Sequence, residues 1–171
     1  MLEGLAMLSP TTVLEVGCSC GPLLDRLTKA GYNVAGIDIN ADAVKLAKDS
    51  GFHASVGTLP DVLALFDDRS VDAVVSSYCL AYIAPDDLVT TLRECLRVAR
   101  LGIVLVEPMA EPGTDAESER WAAYVEWRHD YFTALEMARA GLEHDPKLST
   151  TLMARGPHES MNGVLVGQWI S

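Results

Sequence analysis

Basic residues are scarce in this chain and never run together: 13 lysines and arginines stand against 24 acidic residues, a formal net charge of −11. Affinity for nucleic acid rests largely on neutralising phosphates. The deficit therefore argues against DNA or RNA as a substrate, and acidity of this kind serves solubility. Long apolar runs are also missing. Met1–Pro10 has no basic start and no extended hydrophobic stretch, so it does not read as a signal peptide, and no later segment is long enough to span a membrane. Cysteine is sparse as well. Cys18, Cys20, Cys79 and Cys95 lack the spacing of a secreted disulfide framework, which points to reduced thiols in a cytoplasm. Cys18 and Cys20 are one residue too close for the common C-x-x-C zinc site. A site recruiting Cys79 as a third ligand is conceivable, but small residues filling a tight turn is the favoured account and no metal is expected. Repeats and low-complexity segments are absent. What remains is 171 residues, 49% of them hydrophobic, enough for a single domain with a sizeable core.

The chain is organised around Thr12–Asp38. Thr12–Val16 is a short apolar run with β-branched residues. Gly17-Cys18-Ser19-Cys20-Gly21 is a turn of small residues that lets backbone approach a ligand. Pro22 suits the first turn of a helix. Leu23, Leu24, Leu27 and Ala30 follow at helical spacing, with Gly31 as the stop. Asn33–Ile37 is a second strand ending in Asp38. So short a strand–helix–strand unit implies parallel strands and a right-handed crossover. Ligands of such sheets bind beyond the carboxyl ends of the strands, where Gly17, Gly21 and Asp38 all fall.

The same reading continues along the chain. Met1–Leu8 forms a short helix, Ala41–Asp49 another, Phe52–Val56 a third strand and Asp61–Phe66 a short helical stretch. Val71–Ser76 is almost wholly apolar, as a strand covered on both faces should be. A helix starts at Pro85 with Leu88, Leu92, Cys95, Leu96 and Ala99 on one stripe, and Leu101–Val106 is a fifth strand. After a Pro- and Gly-rich loop, the recurrence of Trp121, Val125, Phe132, Leu135, Ala138 and Leu142 predicts one long helix over 115–143 packed on the sheet. Trp127, His129 and Asp130 fall partly off that stripe, and the Arg128-His129-Asp130 run reads as a wet helical face. Leu148–Met153 and Val164–Ile170 are two late strands pairing antiparallel. The expected fold is α/β, a three-layer Rossmann-like sheet that is mostly parallel and ends in an antiparallel hairpin.

The glycines do not fit the dinucleotide fingerprint G-x-G-x-x-G, although Asp38 stands where its ribose-binding acid would, about 20 residues on. Glu15-x-Gly17-x-Ser19-x-Gly21 instead resembles the first motif of class I S-adenosylmethionine-dependent methyltransferases, E/D-x-G-x-G-x-G, with Ser in the middle position. Gly36-Ile37-Asp38-Ile39 resembles the family's second motif. Gly57-Thr58-Leu59-Pro60 resembles the loop after its third strand, with Thr58 where an acid is frequent. Asp67–Ser77 resembles its acidic loop and fourth strand, and Tyr78-Cys79-Leu80-Ala81-Tyr82-Ile83 the segment that follows. The antiparallel ending is also the family's.

The resemblance implies S-adenosyl-L-methionine as cofactor, held by Glu15, Gly17, Ser19, Gly21, Asp38, Ile39, Thr58, Leu59 and Ser77. Asp38 would accept from both ribose hydroxyls and Ile39 pack on the adenine. Glu15 would orient the turn and the methionine ammonium, directly or through water. It implies methyl transfer to a small-molecule acceptor at O, N or C, by in-line displacement driven by positioning. The family has no fixed catalytic signature, so the catalytic residues stay unassigned. The candidates at the carboxyl edge are Tyr78, Tyr82, Glu107, His158 and Glu159, with His158 and Tyr82 singled out. His158 would qualify if the sixth strand runs parallel to the first five. The segment after the fourth strand is not the N-P-P-Tyr or D-P-P-Tyr of enzymes that methylate nucleic-acid amino groups. Relatives carry a longer N-terminal cover over the cofactor, so an open site, or one covered by a second copy or a partner chain, is expected. A cofactor-binding subunit without its own catalysis is the alternative. A nicotinamide-dependent oxidoreductase is disfavoured.

Overall fold

In a computed structural model of the chain, the residues described are 1–108, 117–121, 124–142, 147–155 and 162–170. Helix α1 (Leu2–Leu8) leads into β1 (Thr12–Val16), α2 (Pro22–Lys29), β2 (Asn33–Asp38), α3 (Ala41–Asp49) and β3 (His53–Val56). A 3₁₀ turn at Asp61–Leu65 precedes β4 (Val71–Ser77), and a second, Leu80–Tyr82, precedes α4 (Pro85–Val98) and β5 (Ala99–Pro108). The hairpin β6 (Glu117–Trp121) and β7 (Tyr124–Arg128) comes next, then α5 (Tyr131–Ala140), β8 (Lys147–Arg155) and β9 (Asn162–Ile170).

Seven strands form one sheet in the order β3-β2-β1-β4-β5-β9-β8. β1 to β5 pair in parallel. β9 runs antiparallel to β5, and β8 antiparallel to β9, so β8 points the same way as the first five strands. The predicted fold class and its antiparallel ending are both observed.

Successive strand residues face opposite sides, and both sides are apolar. Leu14, Val16, Val74, Ile103 and Leu105 pack with Leu92 and Leu96 of α4 and with Leu135 and Ala138 of α5. Val13, Ala73, Val75 and Val104 pack with Leu5 of α1, Leu24 and Leu27 of α2, and Val44 and Ala47 of α3. The result is helix, sheet, helix. This is why β4 reads as an unbroken apolar run rather than an alternating one.

The single helix predicted over 115–143 is corrected. Its first part is the separate two-stranded hairpin β6–β7, paired antiparallel from Glu117↔Arg128 to Trp121↔Tyr124. Among the described residues of that span only Tyr131–Ala140 is helical, and it starts where the Asp130 side chain accepts from the Thr133 N–H at 3.1 Å, an N-cap. The recurrence that suggested one helix mixes two origins. Phe132, Leu135 and Ala138 belong to α5, whereas Trp121 and Val125 sit on paired strands. No helix among the described residues is long and apolar enough to cross a membrane.

Candidate functional site

The turn after β1 is built on left-handed backbone. Gly17 has φ +79°, Ser19 +49° and Gly21 +94°. The Gly17 and Cys18 N–H groups both donate to the Ile37 carbonyl, at 2.7 and 3.0 Å, which ties the turn to the end of β2. Glycine at 17 is required twice over, since a Cβ there would also collide with the Cys79 side chain. A Cβ at Gly36 would likewise run into Cys18, 2.5 Å from its Cβ. The thiols of Cys18 and Cys79 thus fill space that glycines open, and burial pushes the Cys18 thiol up to about 12 and Cys79 higher still. Cys20 is exposed. Among the described residues no group of three or more His, Cys, Asp and Glu side chains is arranged to hold a metal ion.

Asp38 ends β2 with its carboxylate aimed by two backbone donors. Oδ2 accepts from the Ser19 N–H and Oδ1 from the Asn40 N–H, each at 2.8 Å. One acceptor position on each oxygen is used; the remaining lone pairs are open to a ligand. Asn40 in turn caps α3, its side chain accepting from Asp42 and Ala43 N–H groups.

Beside Asp38 lies a cavity of about 400 Å³, within the range of small-molecule sites. Gly17 of the β1 turn lines it. One wall comes from the ends of β2 and β3, with Asp38, Ile39, Thr58 and Leu59. The facing wall is the segment after β4, with Tyr78, Cys79, Tyr82 and Ile83. Its rim is apolar and open: Ile39 is 69% and Tyr82 52% exposed.

Five of the nine predicted cofactor residues therefore line the cavity: Gly17, Asp38, Ile39, Thr58 and Leu59. Four stand behind it. Ser19 supplies the N–H that aims Asp38. Gly21 caps α2 against Phe52. Glu15 is 3% exposed in β1, with no hydrogen-bond partner for Oε2. Its burial, and secondarily the charge of Asp38, pushes its pKa up to about 8. Ser77 pairs with Val106 in the sheet. It is the neighbouring Ser76 whose hydroxyl is used, donating to Glu107 at 2.5 Å.

Glu107 was a candidate for chemistry at the end of β5, and the structure gives it another task. It is fully buried. Oε1 accepts from Ser76 and from the N–H groups of Cys79 and Leu80, both at 3.2 Å, and Oε2 accepts from the Ala81 N–H at 3.3 Å. Burial lifts its pKa to about 7, against the pull of those donors. The carboxylate gathers the start of the Leu80–Tyr82 turn into shape. Just before that turn, Tyr78 is held at φ +55°, a conformation costing a bulky residue about 1–3 kcal/mol. Its N–H donates to the Val106 carbonyl.

His129 corrects the expectation of a wet helical face. It follows β7, is 1% exposed, and bonds through Nε2 to the Ile83 carbonyl at 3.0 Å, with its ring edge-on to Tyr131. Sequence reasoning missed both Glu107 and His129 as organisers of the cavity. The only signal was a polar residue beside an apolar run. Tyr82 lines the cavity as anticipated. β8 does run parallel to the first five strands, but His158 and Glu159 lie outside the described residues.

Comparison with known proteins places these features. The sequence family described as "Methyltransferase domain" matches residues 13–102, more than half of the chain. A ubiquinone biosynthesis O-methyltransferase of Paracidovorax citrulli is 30% identical over 110 residues, covering 59% of this chain. The match takes in 44% of that relative, so the chain spans less than half its length. Among solved structures, a SAM-dependent methyltransferase of Methanosarcina mazei superposes with a TM-score of 0.69 at 19% identity, covering 92% of this chain and 91% of that one. A 1,6-didemethyltoxoflavin-N1-methyltransferase of Burkholderia thailandensis, solved with 1,6-didemethyltoxoflavin and S-adenosylhomocysteine, gives 0.66 at 18% identity, covering 98% and 75%. At such identities the structural likenesses speak for the fold.

Proposed function

Because this chain belongs to the class I S-adenosylmethionine-dependent methyltransferase family, we propose that it methylates a small-molecule acceptor at oxygen, nitrogen or carbon. The observation that carries this reading is Asp38: a carboxylate aimed by the Ser19 and Asn40 N–H groups into an apolar slot. A nucleoside fits such a place. Its ribose diol needs two acceptors, and its base needs apolar faces on either side. Asp38 takes the ribose hydroxyls, Ile39 packs on the adenine, and Thr58 and Leu59 border it. Gly17 admits the methionine end close to backbone. Glu15, Ser19, Gly21 and Ser77 support the turn and strand ends from behind.

When bound, S-adenosylmethionine supplies a methyl group already activated by its sulfonium. What the chain adds is position: the slot holds one partner and leaves the rim at Tyr78 and Tyr82 for the other. Alignment of two reactants supplies several kcal/mol of barrier reduction without an acid or base. Nitrogen and oxygen acceptors occur among the proteins this chain is similar to, and a net charge of −11 disfavours nucleic acid. Four free cysteines support a reducing, cytoplasmic setting.

A second reading, a cofactor-binding subunit that works beside a second copy or a partner chain, is favoured by the exposed apolar rim of Ile39 and Tyr82. Turnover by the isolated chain with any acceptor removes it. The test of the first reading is calorimetry with S-adenosylhomocysteine. Asp38→Ala should weaken binding by about 1.5–3 kcal/mol, the range for hydrogen bonds to a charged group. Unchanged affinity would contradict the assigned pose.

A further inference from the structure

The β6–β7 hairpin stands outside the main sheet, yet the residue that follows it reaches the back of the slot. The β7 strand packs against the Leu80–Tyr82 turn, and His129 bonds through Nε2 to the Ile83 carbonyl at 3.0 Å. A carbonyl only accepts, so Nε2 carries the proton. Ile83 is itself a lining residue of the slot.

The Cys79–Ile83 wall is therefore gripped from both ends. At its start, Glu107 of β5 accepts the N–H groups of Cys79, Leu80 and Ala81. At its finish, His129 donates to Ile83. The His129 ring is fixed in its own right, being 1% exposed and edge-on to Tyr131 with centroids 5.5 Å apart. Neither gripping residue lines the cavity.

We infer that His129 is a positioning residue of the slot: by donating to the Ile83 carbonyl it sets the spacing between the Tyr82–Ile83 wall and the Ile39–Leu59 wall. This rests on the reading that the slot takes the cofactor. Without the donor, a part-buried carbonyl loses its protein partner and turns to find another. Ile83 turns with it and the slot loses its width. The hairpin is then a brace for the cofactor site.

The experiment compares His129→Gln, whose side-chain N–H reaches to about the position of Nε2, with His129→Leu, which keeps bulk and removes the donor. S-adenosylhomocysteine affinity is measured by calorimetry well below each melting temperature, with folding checked by circular dichroism. His129→Gln should stay within about threefold of the wild type, and folded His129→Leu should lose about tenfold or more. A folded His129→Leu with wild-type affinity overturns the inference and leaves the cofactor reading standing. Absence of binding by the wild type overturns the cofactor reading itself and the inference with it. A measurement on the unmutated chain covers the case in which His129→Leu does not fold. With ¹⁵N-labelled histidine, the His129 ring resonance, assigned by its loss in His129→Gln, should report a protonated Nε2 and shift on saturation with S-adenosylhomocysteine. An unmoved resonance, or a deprotonated Nε2, overturns the inference.

Discussion

The two walls of the slot are built in opposite ways. The wall carrying Asp38 is local. Its turn is tied to its own neighbouring strand through the Ile37 carbonyl, and its carboxylate is aimed by Ser19 and Asn40, 19 and 2 residues away in the chain. The wall carrying Tyr78 to Ile83 is held from a distance. Its donors go to Glu107, 26 to 28 residues on, and its last carbonyl to His129, 46 residues on. A locally held wall is specified by a short motif. A remotely held one depends on the whole sheet being in place, and so can be adjusted by substitutions far from the cavity.

The largest effect that would sharpen this contrast is on the local wall. Gly17→Val forces a β-branched residue to φ +79° and into Cys79. Backbone strain and overpacking each cost about 1–3 kcal/mol. Urea denaturation should show a loss of about 2–6 kcal/mol. A variant as stable as the wild type would show that the turn does not need glycine here.

On the remote wall, Glu107→Gln should cost about 2 kcal/mol of stability. The amide can offer only one acceptor oxygen where two oxygens now take four donors, leaving a buried N–H without a partner. It should also weaken S-adenosylhomocysteine binding, since the turn it shapes lines the slot. Lost stability with intact affinity would mean that the turn's shape does not govern the site.

A further expected effect concerns pH. Glu15, at about 8 in the folded chain against an ordinary 4.5, holds its proton more tightly when folded. The folded state thus binds more protons than the unfolded state between those values. Stability must fall as pH rises from about 4.5 through about 8. Glu107, at about 7, acts in the same direction over a narrower window. Glu15→Gln should match the wild type in melting temperature near pH 4 and exceed it clearly at pH 9, where the raised pKa opposes folding by at most about 5 kcal/mol. Equal melting temperatures at pH 9 would contradict a buried, proton-holding Glu15.

The same contrast explains what could be read from the chain. Gly17, Ser19, Gly21 and Asp38 were legible because a left-handed turn and a strand end are local events with local residue requirements. Layering and the parallel pairing of the first two strands followed from apolar runs and a short crossover, whereas the strand order did not. The helix over 115–143 was misread because Trp121 and Val125, four apart, satisfy helical spacing while lying on paired strands. Ser77 was read as a cofactor residue, whereas the structural bond to Glu107 made by its neighbour Ser76 was not read at all, since its partner lies 31 residues on. Glu107 could be seen locally only as a polar residue closing an apolar run, and the task that it and His129 perform could not be read there. A buried polar residue declares its purpose only when its partners, which come from other strands, are in view.

The central claim is that Asp38 grips the sugar of the cofactor, and a crystal structure of the chain with S-adenosylhomocysteine tests it most directly. The expected result is a nucleoside between Ile39 and the Tyr82–Ile83 wall, both ribose hydroxyls on the Asp38 carboxylate, and the Ser19 and Asn40 hydrogen bonds preserved. A nucleoside bound elsewhere, or an Asp38 turned away from the ribose, would contradict the account.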